Sequence, residues 1–152
     1  MRRLRVYIDT SVVGGCLDEE FQESSKALLD RARHGELTLL VSSLLLDELL
    51  EAPPAVQQVL LDLPETSIQM VELDEEADRL AREYLEADVL PETSLDDARH
   101  VAIASVNDAD VVVSWNFRHI VQYRRIVGFN AANLRTGYRT IEIRSPREMV
   151  EP

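Results

Sequence analysis

The sequence predicts an α/β fold in which a mainly parallel sheet is covered on both faces. Three observations carry that expectation. Strand-like and helix-like segments alternate along the whole 152-residue chain, the pattern of strands joined by helical crossovers. The strand-like runs, Val111-Val112-Val113 above all, are continuously apolar, as strands buried on both faces are. No Pro/Gly/Ser linker, repeat or low-complexity tract divides the chain, and 45% apolar residues furnish one core of ordinary size. A single domain over 1–152 is therefore expected.

Each element has its own signal. Val6-Tyr7-Ile8 reads as a buried strand that stops on Asp9, with Thr10-Ser11 and a Gly14-Gly15 break after it. Residues 24–34 read as a helix with apolar Ala27, Leu28 and Ala32, closed by Gly35 as a C-terminal cap. Residues 37–41 form a second strand, and Ser42 or Ser43 caps a helix over 44–52 that Pro53-Pro54 stops. A further helix over 55–63 carries Val56, Val59, Leu60 and Leu63 on one face, for the core or for a second copy in a homodimer. Residues 68–73 make a third strand, and 74–87 a helix with an acidic first turn. From Ser94, residues 95–107 place Leu95, Ala98, Ala102 and Val106 on one stripe, widened by Val101, Ile103 and Ala104 into a mostly buried helix. A strand within 110–115, a helix over 122–134 and a short strand over 140–143 complete the alternation.

Composition excludes several classes. No apolar run approaches the roughly 18 residues of a membrane span, and Asp9 interrupts the basic start Met1-Arg2-Arg3-Leu4-Arg5 before a signal-peptide core can form. A cytoplasmic protein without membrane association is expected. The one cysteine, Cys16, rules out a disulfide scaffold. A net charge of -12 argues against a nucleic-acid partner, since phosphate binding draws on Lys and Arg. The distribution is uneven, however: residues 1 to 114 hold 9 basic and 25 acidic side chains, a net of -16, whereas residues 115 to 152 hold 7 Arg and 3 acids, a net of +4. An anionic-partner surface on an acidic body is one reading, and ordinary surface ion pairs are the other. In the first, Arg118, Arg124 and Arg125 position an RNA backbone.

Three acids stand where chemistry is expected. Asp9 lies at the carboxyl end of the first strand, where α/β sheets bind ligands, although Asp, Thr and Ser after a strand also form turns and caps. Glu48 borders the apolar stripe of its helix, with Asp47 a competing choice that periodicity does not separate. Asp97 falls in Ser94-Leu95-Asp96-Asp97, which equally reads as a capping box with Asp in place of Glu. Buried carboxylates call for partners such as a metal ion. His100 and His119 read as surface or hydrogen-bonded residues, since with His34 they lack the spacing of a zinc site.

The segments Tyr7-Ile8-Asp9-Thr10-Ser11-Val12, Ser43 through Glu48-Leu49, Asp96-Asp97-Ala98-Arg99-His100-Val101-Ala102-Ile103-Ala104 and Val112-Val113-Ser114-Trp115-Asn116 resemble, in this order, the PIN-domain nucleases. The resemblance covers residues 4 to 145 and implies a three-layer α/β/α sandwich whose parallel sheet gathers three or four acids around one or two Mg²⁺ or Mn²⁺ ions. By this matching the acids are Asp9, Glu48 rather than Asp47, and Asp97. In the fourth place Asn116 stands where Asp is frequent; an amide oxygen adds no charge, so one ion is expected rather than two. Thr10 is expected to donate a hydrogen bond to a ligand carboxylate. Members are mostly metal-dependent ribonucleases, many of them toxins of bacterial toxin-antitoxin pairs. The resemblance thus implies RNA hydrolysis by metal-bound water and an antitoxin protein as partner. Asn116 motivates the alternative, a PIN-like module that binds RNA or a protein without cutting. A phospho-acceptor domain is disfavoured because the only lysine, Lys26, is on the first helix, and no phosphate-loop motif occurs.

Overall fold

The computed structural model describes residues 2 to 151. Five parallel strands, β1 (Leu4–Ile8), β2 (Leu37–Ser42), β3 (Ile68–Val71), β4 (Val111–Val113) and β5 (Glu142–Arg144), form one sheet in the order β3-β2-β1-β4-β5. Eight α-helices lie around it: α1 (Thr10–Gly15), α2 (Gln22–Arg33), α3 (Ser43–Leu49), α4 (Pro54–Leu61), α5 (Glu75–Glu86), α6 (Leu95–Val106), α7 (Tyr123–Thr136) and α8 (Pro146–Val150). The result is a three-layer α/β/α sandwich, as the alternation implies. Among the described residues no helix is long and apolar enough to cross a membrane.

The side-chain alternation of the central strands divides the core in two. Tyr7, Leu40 and Val112 point to one face, where Leu80, Tyr84, Val101 and Phe129 from α5, α6 and α7 cover them. Val6, Ile8, Leu39, Val41, Val111 and Val113 point to the other, beneath Val12, Leu28, Leu45 and Leu60 from α1 to α4. Successive residues of a strand face opposite ways, so β1 buries Val6, Tyr7 and Ile8 completely, with 0% exposure each. At about 1.5–3 kcal/mol per buried side chain, this burial fixes β1 at the centre of the sheet and thereby fixes where Asp9 emerges.

Local departures from the sequence reading have local causes. The helix α1 replaces a simple Gly14-Gly15 break; Gly15 lies within it because a Cβ there would stand 2.5 Å from Ser25 Oγ and 2.7 Å from Trp115 Nε1. Ser42 caps α3, its side chain accepting from the Leu45 N–H at 3.0 Å. The capping box expected at Ser94 is not formed, because the Ser94 hydroxyl turns toward His119 and bonds no backbone N–H of α6. The strand expected within 110–115 is Val111–Val113, and the Trp115 N–H beyond it donates to Ser11 Oγ at 2.9 Å.

Candidate functional site

Chain order in the sheet reverses between β1 and β4, since β2 and β3 lie on one side of β1 and β4 and β5 on the other. Such a switch point opens a crevice at the strands' carboxyl ends. Asp9 leaves β1 there and Ser114 leaves β4. The Asp9 carboxylate, only 5% exposed, accepts from Ser11 Oγ through Oδ1 and from Ser114 Oγ through Oδ2, both at 2.6 Å. Ser114 Oγ in turn accepts from the Asn116 N–H at 2.9 Å. Burial pushes the Asp9 carboxyl above its ordinary range, against the opposing pull of the His100 charge and the two serine hydroxyls.

A second chain of hydrogen bonds runs beside it. The Tyr7 hydroxyl donates to Ser42 Oγ at 2.8 Å and lies 2.6 Å from His100 Nδ1, and His100 Nε2 lies 2.6 Å from Glu48 Oε1. Thr10 Oγ1 donates to that same Glu48 oxygen at 2.6 Å. With the Tyr7 proton given to Ser42, His100 donates from both nitrogens, as an imidazolium does. Burial alone would lower the His100 pKa, but the Glu48 hydrogen bond and the charges of Asp9, Glu48 and Asp97 reverse it, and the net direction is up from 6.5. For Glu48, burial raises the pKa, and the His100 bond and charge with the Thr10 hydroxyl outweigh it to bring the net below 4.5. His100 and Glu48 therefore form a charge-assisted pair in the crevice. Asp47 is exposed on the outer side of α3.

Asp97 stands at the start of α6 with Oδ2 3.1 Å from His119 Nδ1, while Ser94 Oγ lies 3.4 Å from the same nitrogen. One nitrogen serves both contacts, so these three residues do not form a relay through the ring. Asn116 Oδ1 accepts the backbone N–H groups of Arg118 at 3.2 Å and His119 at 2.9 Å, closing its own turn.

These partnerships overturn the expected Mg²⁺ or Mn²⁺ ion. Among the described residues no group of three or more His, Cys, Asp or Glu side chains converges to hold a metal. Both Asp9 oxygens take serine hydroxyls, Glu48 takes Thr10 and His100, Asp97 takes His119, and the Asn116 oxygen folds back on its own backbone. The donor set does not fit an ion of the expected kind, because the carboxylates do not converge on one point and each turns at least one oxygen to a different neighbour.

No family model matches the sequence, and no curated protein matches it. Solved structures do. VapBC2 from Rickettsia felis, bound to a DNA fragment from its promoter, is 16% identical, with a TM-score of 0.61 over 93% of this chain and 98% of that one. DNA-bound VapBC from Salmonella typhimurium is 17% identical, with a TM-score of 0.58 over 94% and 98%. The fold is PIN-like. The Mycobacterium tuberculosis VapC20, a toxin that cleaves the Sarcin-Ricin loop, is 16% identical, with a TM-score of 0.55 over 90% and 98%. At this identity the likeness lies in the architecture of the sandwich.

Beyond Asn116 the chain forms a second concavity. A cavity of about 600 Å³ is lined by Phe117, Arg118, Arg124 and Arg125 with Asp88, and Gly128 forms part of its wall. Arg125 Nη1 donates to the Val89 carbonyl at 2.5 Å, whereas Arg118 and Arg124 have exposed side chains and, among the described residues, no acidic partner within ion-pair distance. The charge reversal after residue 114 thus gathers three arginines at one place. Sequence reasoning missed Ser11 and Ser114 as partners of Asp9, and Tyr7 and His100 as a buried relay. Only His100 left a signal: it sits three residues after Asp97 and four before Ala104 on the stripe of α6.

Proposed function

We propose that this protein is a PIN-like module that binds RNA and is catalytically weak or inactive as a metal-dependent nuclease. The observation that carries this reading is the pairing of Asp9, Glu48, Asp97 and Asn116 with separate hydroxyl, imidazole and backbone partners instead of with one another. Choice of RNA rests on Arg118, Arg124 and Arg125 around one cavity, since guanidinium groups bind phosphate in bidentate fashion. Endoribonuclease activity of the toxin kind is the reading this displaces. A mixed RNA pool incubated with the wild-type protein, with and without Mn²⁺, is expected to stay intact while still being bound. Metal-stimulated cutting that disappears in Asp9→Asn overturns the proposal.

A second reading, a protein partner such as an antitoxin, is favoured by an apolar groove between α3 and α4. Leu46, Leu50 and Leu61 are exposed there beside Leu49 and Leu60, and exposed apolar patches mark interaction surfaces. The same groove is open to a second copy of this chain, so sedimentation of the purified protein, alone and with a co-expressed partner, separates the two.

A further inference from the structure

The geometry points to the arginine cavity as a seat for one nucleotide that carries a phosphate monoester, either a free mononucleotide or the phosphorylated end of a single strand. This rests on the RNA-binding reading and gives it a mode. The cavity holds about 600 Å³, within the roughly 300–1,000 Å³ of small-molecule sites, so it takes a single nucleotide and not a length of duplex. Three arginines and one acid line it, a net of +2. That matches the roughly -1.5 to -2 of a phosphate monoester better than the single charge of an internal phosphodiester. Among the described residues the Arg118 and Arg124 side chains have neither an acidic partner nor a hydrogen bond, so they are free to form charge-assisted bonds to the phosphate. Arg125, held by the Val89 carbonyl, sets the wall behind them.

The remaining lining suits the base. Phe117 is 49% exposed, although its neighbour Trp115 is buried and stacked on Phe21 with ring centroids 4.1 Å apart. An exposed ring beside free guanidiniums is the combination on which single-stranded nucleotides stack. Asp88 faces the same space and repels a second phosphate, which confines the charged group to the arginine side. Gly128 lets α7 pack close against Val89 in the cavity's lining: a Cβ there would stand 2.9 Å from a Val89 methyl carbon.

The test compares a short fluorescein-labelled single-stranded RNA with and without a terminal phosphate by fluorescence anisotropy, at either end in turn, with a nucleoside monophosphate and the bare nucleoside as competitors. The phosphorylated strand is expected to bind about tenfold tighter than its hydroxyl counterpart. The Arg118→Gln/Arg124→Gln double variant, whose fold is checked by its Tm, is expected to erase the difference, and Phe117→Ser to weaken both strands. Competition by the monophosphate but not by the nucleoside assigns the cavity to free nucleotides as well; strand binding without such competition assigns it to strand ends alone. Equal affinity for the two strands overturns the monoester seat and leaves RNA binding standing. Arginine-dependent binding of the monophosphate with no strand binding supports the seat and overturns the RNA reading. Binding of neither probe overturns both.

Discussion

At Glu48 a single carboxylate oxygen takes a hydrogen bond from Thr10 and another from His100, so its charge holds α1, α3 and α6 to one another. Glu48→Gln removes a charged acceptor and leaves the buried imidazolium without its counter-charge, a loss expected to cost about 1–3 kcal/mol, read from urea unfolding between pH 4.5 and 6.5, where the pair is complete. The pair also shapes the pH profile. His100 has its pKa raised above 6.5, so its contribution is full below pH 6.5 and is lost as pH rises through the raised value. Glu48 has its pKa lowered below 4.5, so its contribution is full above pH 4.5 and is lost as pH falls through the lowered value. The pair is thus complete between pH 4.5 and 6.5. A plot of Tm against pH is expected to fall off on both sides of that window, and in His100→Gln to lose the alkaline fall. An alkaline limb unchanged in that variant would show that His100 is not the group responsible.

Within α1 two adjacent glycines have opposite meanings. Around Gly14 there is no atom within 4 Å of the place a Cβ would occupy, whereas at Gly15 the Ser25 hydroxyl and the Trp115 ring stand at 2.5 and 2.7 Å. Gly14→Ala is expected to stabilise the protein by about 0.5–1 kcal/mol through helix propensity. Gly15→Ala is expected to destabilise it by about 1–3 kcal/mol through overpacking, with a change in tryptophan fluorescence as the bond from Trp115 Nε1 to Ser25 Oγ, 2.7 Å long, is forced apart. Thermal unfolding of the two variants checks the sign in each case. This element also sets the site: α1 begins at Thr10, so its first turn carries Thr10 to Glu48 and Ser11 to Asp9.

Across the whole molecule the acidic body and the basic end carry different expectations. A divalent ion bound only to the folded state at a hundred times its Kd would add about 2.7 kcal/mol. No such gain is expected here, and Tm should be the same with and without Mg²⁺ or Mn²⁺; a rise lost in Asp9→Asn would restore the metal site. RNA held by Arg118 and Arg124 is expected to show a slope of about -1.4 in log affinity against log salt, measured by anisotropy over a salt series. A slope near zero would mean that the contact is not to phosphate.

The sequence by itself determined the architecture and the place of the acids. Continuous apolar strands alternating with striped helices can bury both faces only as a covered parallel sheet, and a charge that ends the Val6-Tyr7-Ile8 strand has to emerge at its carboxyl edge. Residue periodicity says which face a side chain takes and not what it meets there. Asp9 meets Ser114 across 105 residues, and Glu48 meets His100 across 52. Tertiary structure alone decided those partners, and with them the spending of each carboxylate on a hydroxyl or an imidazole where the resemblance had implied a shared ion. The arginine cavity divides in the same way: the excess of positive charge after residue 114 was legible in composition, but its closure around Phe117 and Asp88 required the turn after α5 to pack against α7.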